Sequence, residues 1–242
     1  DGRGNVREAN ATMLGRVLPD GAELQAISQR YRGRSPKGNV GHRERQVTPS
    51  GKWMSTVDSP FESVGDTLAR LNDVEATFRE AGDRRSVFLT VYTEMTRAVE
   101  DGLETGFFED PDWVRRLLVT FANHYRRALV GYERGEHSRV PPPWDVGFDA
   151  MNSGSTVILQ DALLGVNAHI DFDLTYAVDQ VGMDPNRQSK FEDYARINDI
   201  LARLVDSVQE ALVSVYDSQT VDALDALFGP IDEPLAVYGL EE

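Results

Sequence analysis

Leu163-Leu164-Gly165-Val166-Asn167-Ala168-His169-Ile170-Asp171-Phe172-Asp173 lies inside a longer apolar stretch of helical character, from about 156 to 181. A helix on a protein surface keeps its polar residues on one side. Here Gln160, Asn167, His169, Asp171 and Asp173 fall on several sides of an otherwise apolar cylinder. Such a helix is expected at the middle of a bundle, with other helices around it. Polar groups taken out of water cost roughly 1–3 kcal/mol each unless they find partners, so the stretch predicts a polar network or a chemical site. His169 and Asp173 are four residues apart, share a face, and can hold a proton or an ion between them.

The flanking sequence supplies the other helices. Ser59-Pro60-Phe61-Glu62 reads as a capping box with proline at the first helical position. Val64, Leu68, Leu71, Val74 and Phe78 follow at helical spacing until Gly82. A second helix is expected over about 85–103, with Phe88, Val91, Met95 and Val99 on one face. Asp110-Pro111 opens a third, which carries Val114, Leu117, Phe121, Tyr125, Ala128 and Tyr132 as far as Gly135. Pro141-Pro142-Pro143 breaks the chain before a short helix near 144–151 and then the central helix. Beyond Asp184-Pro185, a long helix is expected over about 188–216 and a short one over about 221–228. No segment of the body alternates with period two for long enough to be a strand. The expected fold is all-α: an irregular bundle of six to eight helices with an extended N-terminal arm. The chain divides into a basic arm with a short helix (1–58), the helical bundle (59–230) and an acidic tail (231–242).

Charge separates the arm from the body. Residues 1–50 carry nine basic groups against five acidic ones, a net of +4, while the whole chain is at −15. The stretch 31–48 is rich in Arg, Gly and Pro and shows no apolar period. It reads as an arm lying on the acidic body of its own subunit or of a neighbour, and the second arrangement gives a homodimer. Val6, Met13, Leu14, Leu24 and Ile27 are candidate anchors, with Trp53 near the junction. An acidic body disfavours non-specific nucleic-acid binding. Lysine occurs only at Lys37, Lys52 and Lys190, against 22 arginines. Strong acidity with scarce lysine suits a halophile protein kept soluble in high salt, and a GC-rich genome gives the same arginine bias. The absence of cysteine excludes disulfides and thiolate chemistry and fits a cytoplasmic protein. No apolar run reaches about 18 residues, so no membrane span is expected.

The chemistry is confined by what is scarce. Four histidines exist: His42 in the arm, His137 in a loop, His124 on the third helix, and His169. A metal site must therefore lean on carboxylates, which favours Mg²⁺, Mn²⁺ or Fe as the divalent ion. There is no Gly-x-Ser-x-Gly elbow and no phosphate-binding glycine loop. The leading reading is an enzyme acting on a small molecule. His169 acts as base or metal ligand, and Asp173 orients it or shares the ion. Gln160, Asn167, Asn123, Tyr125, Trp144, Asn198 and Asp206 are the expected surrounding shell. Tyr92 and Tyr194 are aromatic candidates for a pocket wall, or plain core. The alternative is a non-catalytic helical binding or interaction protein whose polar residues only specify packing.

Three resemblances bear on this. The run Gln160-x3-Leu164-Gly165-x-Asn167-Ala168-His169-Ile170-x-x-Asp173-Leu174 resembles the signature of an uncharacterised bacterial and archaeal all-α family, a domain of unknown function. Phe121-Ala122-Asn123-His124-Tyr125, Trp144, and Arg196-Ile197-Asn198 with Asp206 match further parts of that pattern. The likeness spans about 60–215 and implies no particular activity. At Asp161 the chain departs from it, because the family often has histidine there, and this weakens a two-histidine metal site. Asn198-Asp199 with Asp206 is similar to part of the magnesium motif of class I terpene cyclases, with Ala202 where that motif has a hydroxyl residue and Asp206 where it has glutamate. The spacing Gly165, His169, Asp173 is similar to one element of the zinc phospholipase C and P1-nuclease superfamily, whose other histidines are missing here.

Overall fold

In the computed structural model, which describes residues 50–154 and 156–203, the helical periods become helices, and none of the described residues is in a strand. The elements are α1 (Ser50–Val57), α2 (Val64–Glu80), α3 (Arg85–Glu104), α4 (Pro111–Glu133) and α5 (Pro142–Ser153). The central run follows as α6 (Ile158–Asn167), a π-helical turn (Ala168–Asp173) and α7 (Leu174–Val181), without a break in helical backbone. The last described helix is α8 (Arg187–Arg203). The fold is an all-α irregular bundle. Residues 1–49 of the expected arm, the continuation of the last helix to 216, the helix near 221–228 and the acidic tail lie outside the described residues.

Two helix starts show how local chemistry sets boundaries. Asp110 caps α4, its carboxylate accepting the Trp113 N–H at 3.0 Å, with Pro111 at the first position. The first expected start is displaced. α2 begins four residues past the Ser59-Pro60 box, where Ser63 Oγ accepts the Asp66 N–H at 3.1 Å and the Asp66 carboxylate accepts the Glu62 N–H at 3.0 Å. This reciprocal pair satisfies free N–H groups at the displaced start. Residues 58–62 instead run as a strap held by side chains of the body. Asn123 pairs both backbone groups of Phe61, at 2.9 and 3.0 Å. Arg126 donates to the carbonyls of Val57 and Asp58, and Arg70 to those of Thr56 and Pro60. Cations are well placed there, because the carbonyl end of α1 is the negative end of its dipole.

The strap presses α1 onto α2 and α4, so Trp53 and Val57 are buried in the core although the sequence assigns them to the arm. Trp53 meets Phe78 edge-on at 4.8 Å, and the Arg85 guanidinium lies over Phe78 at 4.4 Å. The core has two lobes. One gathers Phe78, Phe88, Tyr125, Trp144 and Phe148; the other gathers Val114, Leu117, Ile170, Leu174 and Tyr194. Val119, Phe121 and Val166 pack against both. The central run passes along this seam. It is not enclosed on all sides, as its scattered polar residues suggest: Asn167 and Asp171 are exposed. Polar side chains without partners face water, and those left inside are Asp161, His169 and Asp173.

Candidate functional site

The π-helical turn that carries His169 and Asp173 is marked by the Leu174 N–H reaching back five residues to the His169 carbonyl. Such turns occur frequently at functional sites, because they re-aim side chains within an otherwise regular helix. One turn earlier, Gly165 lets α3 approach. A Cβ at that position would stand 2.7 Å from the Phe88 Cβ, closer than packed carbons come. Phe88 thereby reaches the His169 ring, with centroids 5.6 Å apart.

At the centre, Asp173 Oδ2 accepts the Trp144 Nε1–H at 2.7 Å and faces His169 Nδ1 at 2.9 Å. An indole N–H can only donate, so Oδ2 is an acceptor there. With Oδ2 accepting from both sides, the Nδ1 proton faces Asp173, and in the neutral imidazole the lone pair then lies on Nε2. Nε2 is buried and has no hydrogen-bond partner among the described residues, and the same holds for Asp173 Oδ1. Phe121 stacks on the imidazole at 3.5 Å and 9°, and Tyr92 meets it edge-on at 4.4 Å. Burial pushes the His169 pKa below its ordinary value of 6.5, against the opposing pull of Asp173. Burial, with Asp173 nearby, drives the Tyr92 phenol well above its ordinary range. Its hydroxyl lacks a well-aligned partner, since the neighbouring Thr96 hydroxyl donates to the Tyr92 backbone carbonyl at 2.8 Å.

His169 and Tyr92 line a cavity of about 70 Å³ that extends to Leu117, Phe121, Ile170 and Asn198. No charged side chain lines it among the described residues.

The sequence-predicted residues separate into two groups. His169, Asp173 and Trp144 form the hydrogen-bonded chain. Tyr125 packs 5.1 Å from Trp144, and Asn198 stands on the cavity wall. Asn123 is instead committed to the Phe61 strap. Gln160 caps α6, its Oε1 accepting the Val157 N–H at 3.0 Å. Asn167 is exposed, and Asp206 lies outside the described residues. His124 does not line the cavity; it sits 6.3 Å from the exposed Tyr176. Sequence reasoning missed Phe88 and Phe121 as walls of the His169 site, because aromatic residues at helical spacing read as plain core. It also missed that Asp161 is fully buried against Thr156 and Arg84, whose Nε donates at 2.6 Å. Burial raises the Asp161 pKa, while Thr156 and Arg84 oppose the shift. The histidine often found at that position in the resembled pattern marked it as unusual, without indicating a partner 77 residues away. Among the described residues no three His, Asp or Glu side chains stand together as a ligand set for an ion.

Residues 64–242 match the family described as "Family of unknown function (DUF5995)", and the chain belongs to that family. No curated protein and no solved structure matches the chain. No helix among the described residues is long and apolar enough to cross a membrane.

Proposed function

We propose that this protein is an enzyme acting on a small molecule, with His169 Nε2 as the general base of an apolar cavity. The observation that carries the reading is an imidazole tied through Nδ1 to a buried carboxylate while Nε2, without a donor among the described residues, belongs to a residue of the cavity wall. A histidine with a purely structural role pairs both nitrogens, because an unpaired buried acceptor is costly. The roles then follow from connectivity. Trp144 holds Asp173, and Asp173 fixes the tautomer and orientation of the ring. Burial keeps the ring neutral and able to accept a proton near neutral pH. When Nε2 takes a proton from a bound molecule, the adjacent carboxylate stabilises the resulting imidazolium and the proton can be returned. A positioned base of this kind typically contributes about 10²–10⁴ in rate.

Metal-assisted chemistry has less support, because His169 Nδ1 and Asp173 Oδ2 already bind each other. A terpene-cyclase-like magnesium site would have Asn198 at the cavity, and Mg²⁺ takes one or two carboxylates besides. The non-catalytic reading is favoured by Asn123 and Gln160, whose side chains serve backbone groups. The test is untargeted. A small-molecule extract of the producing organism is incubated with wild type or with His169→Phe, folding being checked by circular dichroism. Compounds consumed by the wild type alone are expected; identical extracts would overturn the proposal.

A further inference from the structure

We infer that the cavity at His169 selects a small uncharged molecule with a short apolar body and one O–H or N–H, donated to His169 Nε2. The inference rests on the reading of His169 as the base and adds the ligand class. Three observations carry it. The first is the orphaned nitrogen: His169 is 2 % exposed, and Nε2 has no donor among the described residues. A ligand O–H or N–H that reaches Nε2 supplies one, and the pairing is favourable because an unpaired buried acceptor is costly. The second is the wall. Val99, Leu117, Ile170 and Leu174 give it an aliphatic character, and no charged residue lines it among the described residues. Asp173 stands behind the imidazole, with Oδ2 held by Trp144 and His169, and is not part of the wall. An ammonium or a carboxylate entering here would lose its hydration without a counter-ion. A carboxylate would also meet a lone pair. The third is size. About 70 Å³ is close to half of the roughly 150 Å³ apolar cavity that accommodates benzene, so a chain of a few heavy atoms fits. Tyr92, Thr96 and Asn198 also line the cavity, whose surface is almost wholly apolar.

The experiment uses four probes that share a short carbon chain and differ at the head. These are 1-butanol, its isomer methyl propyl ether, butylammonium and butyrate. Each is titrated into the full chain near pH 7.5 and followed by NMR at the methyl groups of Leu117 and Ile170 and at the His169 imidazole. Butanol is expected to bind roughly three- to tenfold tighter than the ether, the difference one hydrogen bond makes. The charged probes are expected to bind more weakly than either. In His169→Phe, butanol and ether should become equal. Leu117→Phe, which fills the cavity and leaves His169 in place, should weaken all four and provides the check if His169→Phe fails to fold. The inference is overturned if ether matches butanol in the wild type, if either charged probe binds best, or if none binds. Failure here with His169-dependent turnover of an extract compound would remove the ligand class and leave the base. Selective butanol binding without any turnover would keep the ligand class and remove the base.

Discussion

His169 and Asp173 turn a spacing into a buried hydrogen bond. The His-x3-Asp interval is legible in the sequence, because residues four apart on a helix share a face. Trp144 is legible as a neighbour, but its role as the donor to Asp173 is not: 29 residues separate them, and only packing decides which way an indole N–H points. Replacing it by phenylalanine removes one of two hydrogen bonds to a buried carboxylate. Trp144→Phe is expected to cost about 1–3 kcal/mol in urea unfolding, and more where the smaller ring leaves a gap. The His169 pKa should rise in that variant, as a less satisfied carboxylate attracts the imidazolium more strongly. A stable Trp144→Phe with unchanged His169 titration would show the bond to be incidental. The wild type also has a pH signature. Unfolded, His169 takes up a proton below about pH 6.5; folded, it resists until a lower pH. Its contribution to stability is therefore whole above about 6.5 and is lost as the pH falls toward the depressed folded value. Burial lowers the His124 pKa too, giving a contribution of the same sign, so the comparison is with His169→Phe. Between about pH 7.5 and 5.5 the wild type should lose more stability than the variant, and equal slopes would contradict the assignment.

The helices themselves were largely readable, the turns inside and between them less so. The lengths of α3 and α4 follow from apolar period, the Asp110-Pro111 start and glycine stops, all of which are local. The strap at 58–62 is a tertiary construction. Ser59-Pro60 reads as the helix start, but the helix is capped at Ser63, and the side chains of Arg70, Asn123 and Arg126 hold the residues before it as a strap. The π turn leaves no trace in the apolar pattern, since one widened turn is too short to shift a period. Gly165 is the residue through which the central run admits Phe88. Gly165→Ala is expected to destabilise by about 1–3 kcal/mol despite alanine's better helix propensity, because the added carbon meets Phe88 near its backbone. Ring-proton shifts of Phe88 and His169 should move with it, and a neutral substitution with unmoved rings would remove the close-approach argument. Asn123→Ala should cost a similar amount, about 1–3 kcal/mol, by leaving both Phe61 backbone groups unpaired. Its His169 titration should match wild type; a shift there would return Asn123 to the site.

Across the whole molecule, the site lies where two core lobes meet, and α3, α4, α8 and the central run converge on it. An all-α fold could be read from periods alone. The convergence could not, since no period records which faces of three helices meet, and this is why Asn198 and Tyr92 share a cavity with His169 while Asn167 faces solvent. The acidic excess supports one prediction at this scale. With a net of +4 in residues 1–50 of a chain at −15, an arm drawn to the body would add several weak surface pairs that count together. Removing residues 1–49, and so keeping α1, is expected to lower the melting temperature or halve the mass in solution. Unchanged values for both would mark the arm as passive.

The central claim is that His169 keeps an open lone pair on Nε2, and nitrogen-15 NMR of the imidazole side chains tests it most directly. At pH 7 the His169 ring is expected to be neutral, protonated at Nδ1 and bare at Nε2. It should remain so to a lower pH than the exposed His137, whose pKa is raised by its hydrogen bond to Asp145. A proton on Nε2, or an imidazolium at pH 7, would contradict the account.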